Sequence, residues 1–162
     1  MPVPLLDLKR QYEPLREEIL QAIDRVCESQ HFILGAEAED FERESAAVLE
    51  TLHAVGVTSG TDALLVALMA LGVGNGDEVV LPTFTFFATA GVVSRLGATP
   101  VFVDIDHVDY CMDPEHLAAS ISDRTRAIIP VHLFGQAAAM DHIMDVAGNV
   151  PVLEDCAQAW GA

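Results

Sequence analysis

The sequence predicts an α/β fold of three layers around a mostly parallel sheet. Three observations point there. Half of the 162 residues are apolar (51%), while aromatic side chains are scarce at 6%. That composition suits a buried sheet covered by helices. From residue 53 onward, short apolar runs alternate with segments of helical periodicity. Five such runs separated by helices imply crossover connections, and hence parallel strands.

The elements follow in order. Leu15, Ile19, Ile23 and Val26 recur at helical spacing and mark a first amphipathic helix. A break falls near Gly35. Ala38, Phe41, Ala46, Val48 and Leu49 mark a second, more acidic helix. Strands are then expected over 53–57, 78–81, 100–105, 127–131 and 150–154. Helices are expected over 61–71, 86–96, 114–121 and 141–147. The division is thus a helical segment, 1–52, leading into an α/β portion, 53–162. The last residues, Glu154 to Ala162, run off a strand end. Ligand sites in open α/β sheets form at the carboxyl ends of strands.

Charge and cysteine usage narrow the function. There are 25 acidic and 8 basic residues, a net charge of −17. Such a surface repels phosphate backbones, so nucleic acid is disfavoured as a partner. Cys27, Cys111 and Cys156 are far apart and odd in number, which argues against a disulfide framework or structural zinc and for a reducing cytoplasm. The opening residues lack the pattern of a signal peptide, and no apolar stretch is long enough to cross a bilayer. No membrane association is therefore expected.

Three segments could carry chemistry. Thr58-Ser59-Gly60-Thr61-Asp62-Ala63-Leu64 follows the first apolar run and opens a helix. Exposed N–H groups at a helix N-terminus attract phosphate. Taken alone, the segment reads first as a capped strand-to-helix turn, with Ser59 or Thr61 as N-cap. It matches neither a dinucleotide glycine fingerprint nor a P-loop. Pro82-Thr83-Phe84-Thr85-Phe86-Phe87-Ala88-Thr89 places three phenylalanines at a strand end, where one could stack on a planar ligand. For Phe84 and Phe87, ordinary core packing is the expectation. Asp155, just past Val150-Pro151-Val152-Leu153, could hold a protonated ring nitrogen or serve as a turn former. Gln158 could present its amide to the same ligand or be solvated. His132 reads as a satisfied core or loop histidine, and histidine spacing suggests no metal site.

Together these segments resemble the DegT/DnrJ/EryC1/StrS sugar aminotransferases, which share the aspartate-aminotransferase fold. The likeness covers essentially the whole chain. It rests on Leu5-Leu6-Asp7-Leu8, Phe32-Ile33-Leu34-Gly35, the 58–64 and 83–86 segments, Gly76-Asp77-Glu78-Val79-Val80, Pro100-Val101-Phe102-Val103-Asp104, Val131-His132-Leu133-Phe134-Gly135 and Glu154-Asp155-Cys156-Ala157-Gln158-Ala159. Cys156 stands where the family often has alanine.

The resemblance implies pyridoxal 5'-phosphate as cofactor. It implies Gly60 and Thr61 at the cofactor phosphate, Phe86 on the ring face, Asp155 at the ring nitrogen and Gln158 near the phenolic oxygen. It also implies transfer of an amino group from an amino acid, glutamate first among candidates, to a nucleotide-linked keto-sugar, in polysaccharide or amino-sugar biosynthesis. The 83–91 segment is most similar to the branch acting on 3-keto sugars. Intact members pair as homodimers. They also carry a Schiff-base lysine and a smaller second domain beyond the matched portion. The only lysine here is Lys9, which matches no catalytic position. The chain by itself is therefore expected to be inactive. The rival expectation is a non-catalytic remnant that binds cofactor or partner.

Overall fold

The computed structural model describes residues 3, 4 and 6–162, and these divide into two compact units meeting at Gly56/Val57. Leu5 of the opening motif lies outside the described residues.

The first unit is helical. Helix α1 (Lys9–Ser29) contains no buried residue, and its apolar positions Leu15, Ile19 and Ile23 are exposed. It ends at Gln30, which takes a left-handed conformation. Gly35 caps α2 (Ala36–Val48). Arg25 pairs with Glu37 at 2.7 Å, tying the two helices together.

The second unit starts with α3 (Gly60–Ala70), capped by Ser59, whose hydroxyl accepts the Asp62 N–H. Strand β1 (Glu78–Pro82), helix α4 (Phe87–Arg95), strand β2 (Thr99–Val103), helix α5 (Pro114–Ser120), strand β3 (Thr125–Ile128), a 3-10 turn (Leu133–Gly135) and helix α6 (Met140–Ala147) follow. Helices α3 and α4 stop the same way, at Leu71-Gly72 and Leu96-Gly97. The glycines adopt φ of +73° and +78°, and the next residue's N–H reaches back to Leu68 or Val93. Only glycine takes that left-handed turn without strain.

The sheet order is β2-β1-β3, with both pairings parallel. Pleating sends alternate side chains to opposite faces. Val79, Leu81, Ala127 and Ile129 pack with Leu64 and Leu68 of α3 and Val92 and Val93 of α4. Val80, Val103 and Ile128 pack with Leu117 of α5 and Ile143 of α6. The three layers expected from the alternation are thus present, with one apolar cluster on each side of the sheet. Among the described residues, no helix is long and apolar enough to cross a membrane.

Two expected strands differ. The run 53–57 forms no strand. Val55 and Val57 are exposed, and no described strand lies alongside to complete a ladder. An apolar run becomes a strand only when a partner takes its backbone hydrogen bonds. The 150–154 run is extended beside β3, with parallel bridges Ile128–Val152 and Val131–Asp155 in a single register. Between them stands Pro130, which has no N–H to offer the Leu153 carbonyl, so the ladder is interrupted there.

Glu78 is an acid at the buried start of β1. The Ser122 hydroxyl donates to it, and Arg124 Nε donates to its other oxygen at 3.0 Å. The Ser122 bond first, and then Arg124, hold the carboxyl below its ordinary range. A depressed folded value means stabilisation that is present above the unfolded pKa of about 4.3 and lost as pH falls through the folded value. Glu78→Gln is therefore expected to lower the urea midpoint at pH 7, with the difference from the parent chain closing below about pH 4. A difference independent of pH would assign the effect to packing instead.

Candidate functional site

Parallel strands put all their carboxyl ends on one edge of the sheet. Thr83–Phe86 after β1, His132–Gln136 after β3 and Asp155–Gln158 after the last extended run therefore meet there. Helix α3 brings its N-terminus to the same place. A β carbon built on Gly60 would touch Ala157 Cβ at 3.9 Å, an ordinary contact. Nothing among the described residues requires glycine at 60; what the missing side chain leaves open is the approach to the helix N-terminus. No acceptor among the described residues takes the N–H of Gly60 or Thr61, or the Thr61 hydroxyl. Unspent donors at the positive end of a helix suit a phosphate. Asp62 sits in the same turn, its carboxylate accepting from the Thr58 hydroxyl.

Phe86 is the N-cap residue of α4, with extended backbone, and the residue is 75% exposed. An exposed phenylalanine at a strand end is costly unless something covers it. Phe86, Asp155 and Gln158 line one concavity of about 290 Å3, with Val131 and Leu133 as apolar wall. Phe86 also borders a second, mostly apolar concavity of about 560 Å3, shared with Thr61, Phe87 and Phe102. Thr61 thus lies in the adjoining hollow, with Phe86 common to both. Phe84 and Phe87 are not core residues: Phe84 is half-exposed and tilts against Tyr110 at 6.2 Å, and Phe87 is 81% exposed. Helix α4 buries Ala88, Thr89, Val92 and Val93, which turns Phe87 outward.

Asp155 is held on both oxygens. Its Oδ1 accepts the Ala157 N–H and its Oδ2 the Thr89 hydroxyl, each at 3.2 Å. Gln158 Oε1 accepts the Phe134 N–H at 2.8 Å, which leaves its two amide hydrogens as donors. Phe134 achieves this at φ +54°, a left-handed conformation unusual for phenylalanine. Neither the Thr89 hydroxyl nor the Phe134 N–H stands out as a site group in the sequence. The available signal for the first was a pair of hydroxyl residues, Thr85 and Thr89, either side of the point where the chain enters α4.

His132 is buried, as expected of a satisfied histidine. Its Nδ1 accepts the Ala138 N–H at 3.0 Å, and its Nε2 lies 2.9 Å from Glu154 Oε2. Accepting at Nδ1 places the ring proton on Nε2, donated to Glu154. The ligand atoms of His132, Glu154 and Cys156 come within 4.8 Å of one another. In this tautomer, however, the ring has no lone pair left for a cation. Burial first, then Glu154 and Asp155, push the Cys156 thiol above its ordinary range, so it is not an activated nucleophile.

Comparison with known proteins gives the family of the chain. The profile of the DegT/DnrJ/EryC1/StrS aminotransferase family matches residues 13–162. The chain belongs to that family. It is 50% identical, over 99% of its length, to UDP-N-acetyl-3-dehydro-alpha-D-glucosamine 3-aminotransferase of Acidithiobacillus ferrooxidans, covering 44% of that protein. It is 45% identical over 99% of its length to UDP-2-acetamido-2-deoxy-3-oxo-D-glucuronate aminotransferase of Pseudomonas aeruginosa, covering 45% of it. It superposes on the crystal structure of DesV from S. venezuelae, in complex with a ketimine intermediate, with a TM-score of 0.94 at 49% identity. That match covers 98% of this chain and 43% of DesV. The chain thus spans less than half the length of these relatives, and its α/β layers are those of a partial aminotransferase large domain.

Proposed function

We propose that this DegT/DnrJ/EryC1/StrS chain forms the cofactor-binding part of a pyridoxal-phosphate-dependent aminotransferase acting on a nucleotide-linked 3-keto sugar, with glutamate as amino donor. The observation that carries the reading is the convergence of Phe86, Asp155 and Gln158 in one concavity, beside the unspent donors of α3. The donor set fits the cofactor group by group: N–H and hydroxyl donors for a phosphate, an aromatic face for a pyridine ring, a carboxylate for a ring N–H, and amide hydrogens for a phenolic oxygen. When bound, pyridoxal phosphate supplies a protonated ring that accepts electrons and an aldehyde carbon that carries the amino group between substrates.

The roles of the chain's own residues follow. Gly60 and Thr61 anchor through backbone N–H groups and one hydroxyl. Phe86 covers a ring face and excludes water from it. Asp155 keeps the ring nitrogen protonated through a charge-assisted hydrogen bond. Gln158 orients the ring by donating from its amide. The 3-keto assignment is supported by the names of the Acidithiobacillus and Pseudomonas relatives, each of which specifies the 3-position. Pairing of two copies in the intact enzyme is supported by the exposed apolar residues Leu15, Ile19 and Ile23 of α1 and Phe32, Ile33 and Leu34 after it.

For these 162 residues taken by themselves, a second reading is binding without turnover, since their single lysine, Lys9, opens α1 and answers to no catalytic motif. Both readings predict cofactor binding, and an ordinary nucleotide-binding α/β unit does not. Titration with pyridoxal phosphate, followed at its visible absorbance, is expected to give a saturable spectral change that Thr61→Ala and Asp155→Asn weaken. Absence of saturation, together with saturable binding of a nucleotide alone, would overturn the proposal.

A further inference from the structure

We propose that Thr89 is a positioning residue for Asp155, fixing the direction in which the carboxylate faces the concavity. The inference rests on the assignment of Asp155 to the ring nitrogen and goes beyond it, because it concerns a residue on a different element, 66 positions away in sequence.

Thr89 lies in the first turn of α4 and is fully buried, among apolar neighbours that include Ala88, Val92 and Val93. A hydroxyl in such a place needs a partner. A helical threonine ordinarily satisfies itself on a backbone carbonyl three or four residues back. Here it does not. Its oxygen lies 2.9 Å from the Thr85 hydroxyl oxygen and 3.2 Å from Asp155 Oδ2.

The protons can be ordered in one way that satisfies every group. An ionised carboxylate only accepts, so the Thr89 proton goes to Asp155. Thr89 then accepts from Thr85. The chain Thr85 to Thr89 to Asp155 therefore points every donor toward the carboxylate. The other oxygen, Oδ1, is held by the Ala157 N–H at 3.2 Å. One oxygen is thus fixed by the aspartate's own turn and the other by α4, and rotating the carboxylate breaks at least one of these bonds. Two of its four lone-pair directions remain for a ligand. A cofactor ring nitrogen needs one of them aimed at it, and aim is what the Thr89 bond secures.

The test compares the parent chain with Thr89→Val, which keeps the shape and removes the donor, and Thr89→Ser, which keeps the donor. Side-chain scalar couplings of Asp155 are measured by NMR without ligand, and pyridoxamine phosphate is then titrated as the probe. The parent and Thr89→Ser should show the couplings of a single Asp155 rotamer. Thr89→Val should show averaged couplings and about tenfold weaker probe binding. Unchanged Asp155 couplings in Thr89→Val would overturn the proposal, whatever the probe does. Averaged couplings in Thr89→Val, with no probe binding by any of the three, would leave the positioning role standing and count against the assignment of Asp155 instead. Should Thr89→Val fail to fold, the parent chain decides. Deuterium at the Thr89 hydroxyl should shift the Asp155 carboxyl carbon resonance through the hydrogen bond, and absence of that shift would overturn the proposal.

Discussion

Asp155→Asn, introduced into this chain after it has been continued by the remaining portion of a relative, is expected to cut turnover by about a hundredfold to a thousandfold. The reason is charge. An asparagine at this strand end has the same shape and still has an oxygen for the Thr89 hydroxyl. It lacks the negative charge that keeps a ring nitrogen protonated, and the ring's capacity to accept electrons falls with that proton. Asparagine keeps an acceptor for the Thr89 hydroxyl but sets an NH2 group against the Ala157 N–H, so the substitution removes the charge together with one of the two bonds that hold the group. Folding should be largely retained, because Asp155 is only half-buried and its backbone bonds to Pro130 and His132 are untouched. Steady-state kinetics with glutamate and a 3-keto sugar nucleotide, alongside circular dichroism, would check it. Turnover at the parent rate would mean that Asp155 does not hold the ring nitrogen.

The second large effect is expected of the 162-residue chain by itself, which should not catalyse transamination. Family members hold the cofactor through a lysine, and the same amine moves the proton between carbon atoms. The only side-chain amine in this sequence is Lys9. Its backbone N–H bonds Asp7 at the start of α1, and no motif links it to a cofactor. Gly60, Thr61, Phe86, Asp155 and Gln158 bind and tune but none can serve as that base. Free pyridoxal phosphate reacts slowly with amino acids, so trace background is expected. Borohydride reduction and peptide mapping, run beside a turnover assay, provide the check. A stoichiometric pyridoxyl adduct on Lys9 together with enzymatic turnover would contradict the expectation.

Much of the fold was legible in the sequence, for physical reasons that also explain the failures. Helices α1 to α6 declared themselves by apolar periodicity. Strands β1 and β3 declared themselves as short apolar runs because both their faces are covered. The 53–57 run looked the same in sequence but has no neighbour among the described residues, and pairing is not a property of the run itself. Pro130 and the broken ladder beside it show the opposite case, in which one missing N–H interrupts a register that is otherwise correct. Of the site, the residues at strand ends were legible because parallel topology gathers them. What was not legible is what each side chain spends its hydrogen bonds on. Phe87 reads as core until α4's buried face is known, and Thr89 reads as an ordinary helical threonine until Asp155 arrives from the last extended run.

The central claim is that Gly60, Thr61, Phe86, Asp155 and Gln158 form one cofactor site. Residue-resolved NMR titration of the isotope-labelled chain with pyridoxamine phosphate tests it most directly, since this probe carries no aldehyde to react with Lys9. A single site predicts saturable shifts that share one binding constant at the N–H groups of Gly60 and Thr61, the Phe86 ring, the Asp155 carboxyl and the Gln158 amide. Shifts that leave Asp155 and Thr61 unmoved at saturation, or that gather at other residues, would contradict it.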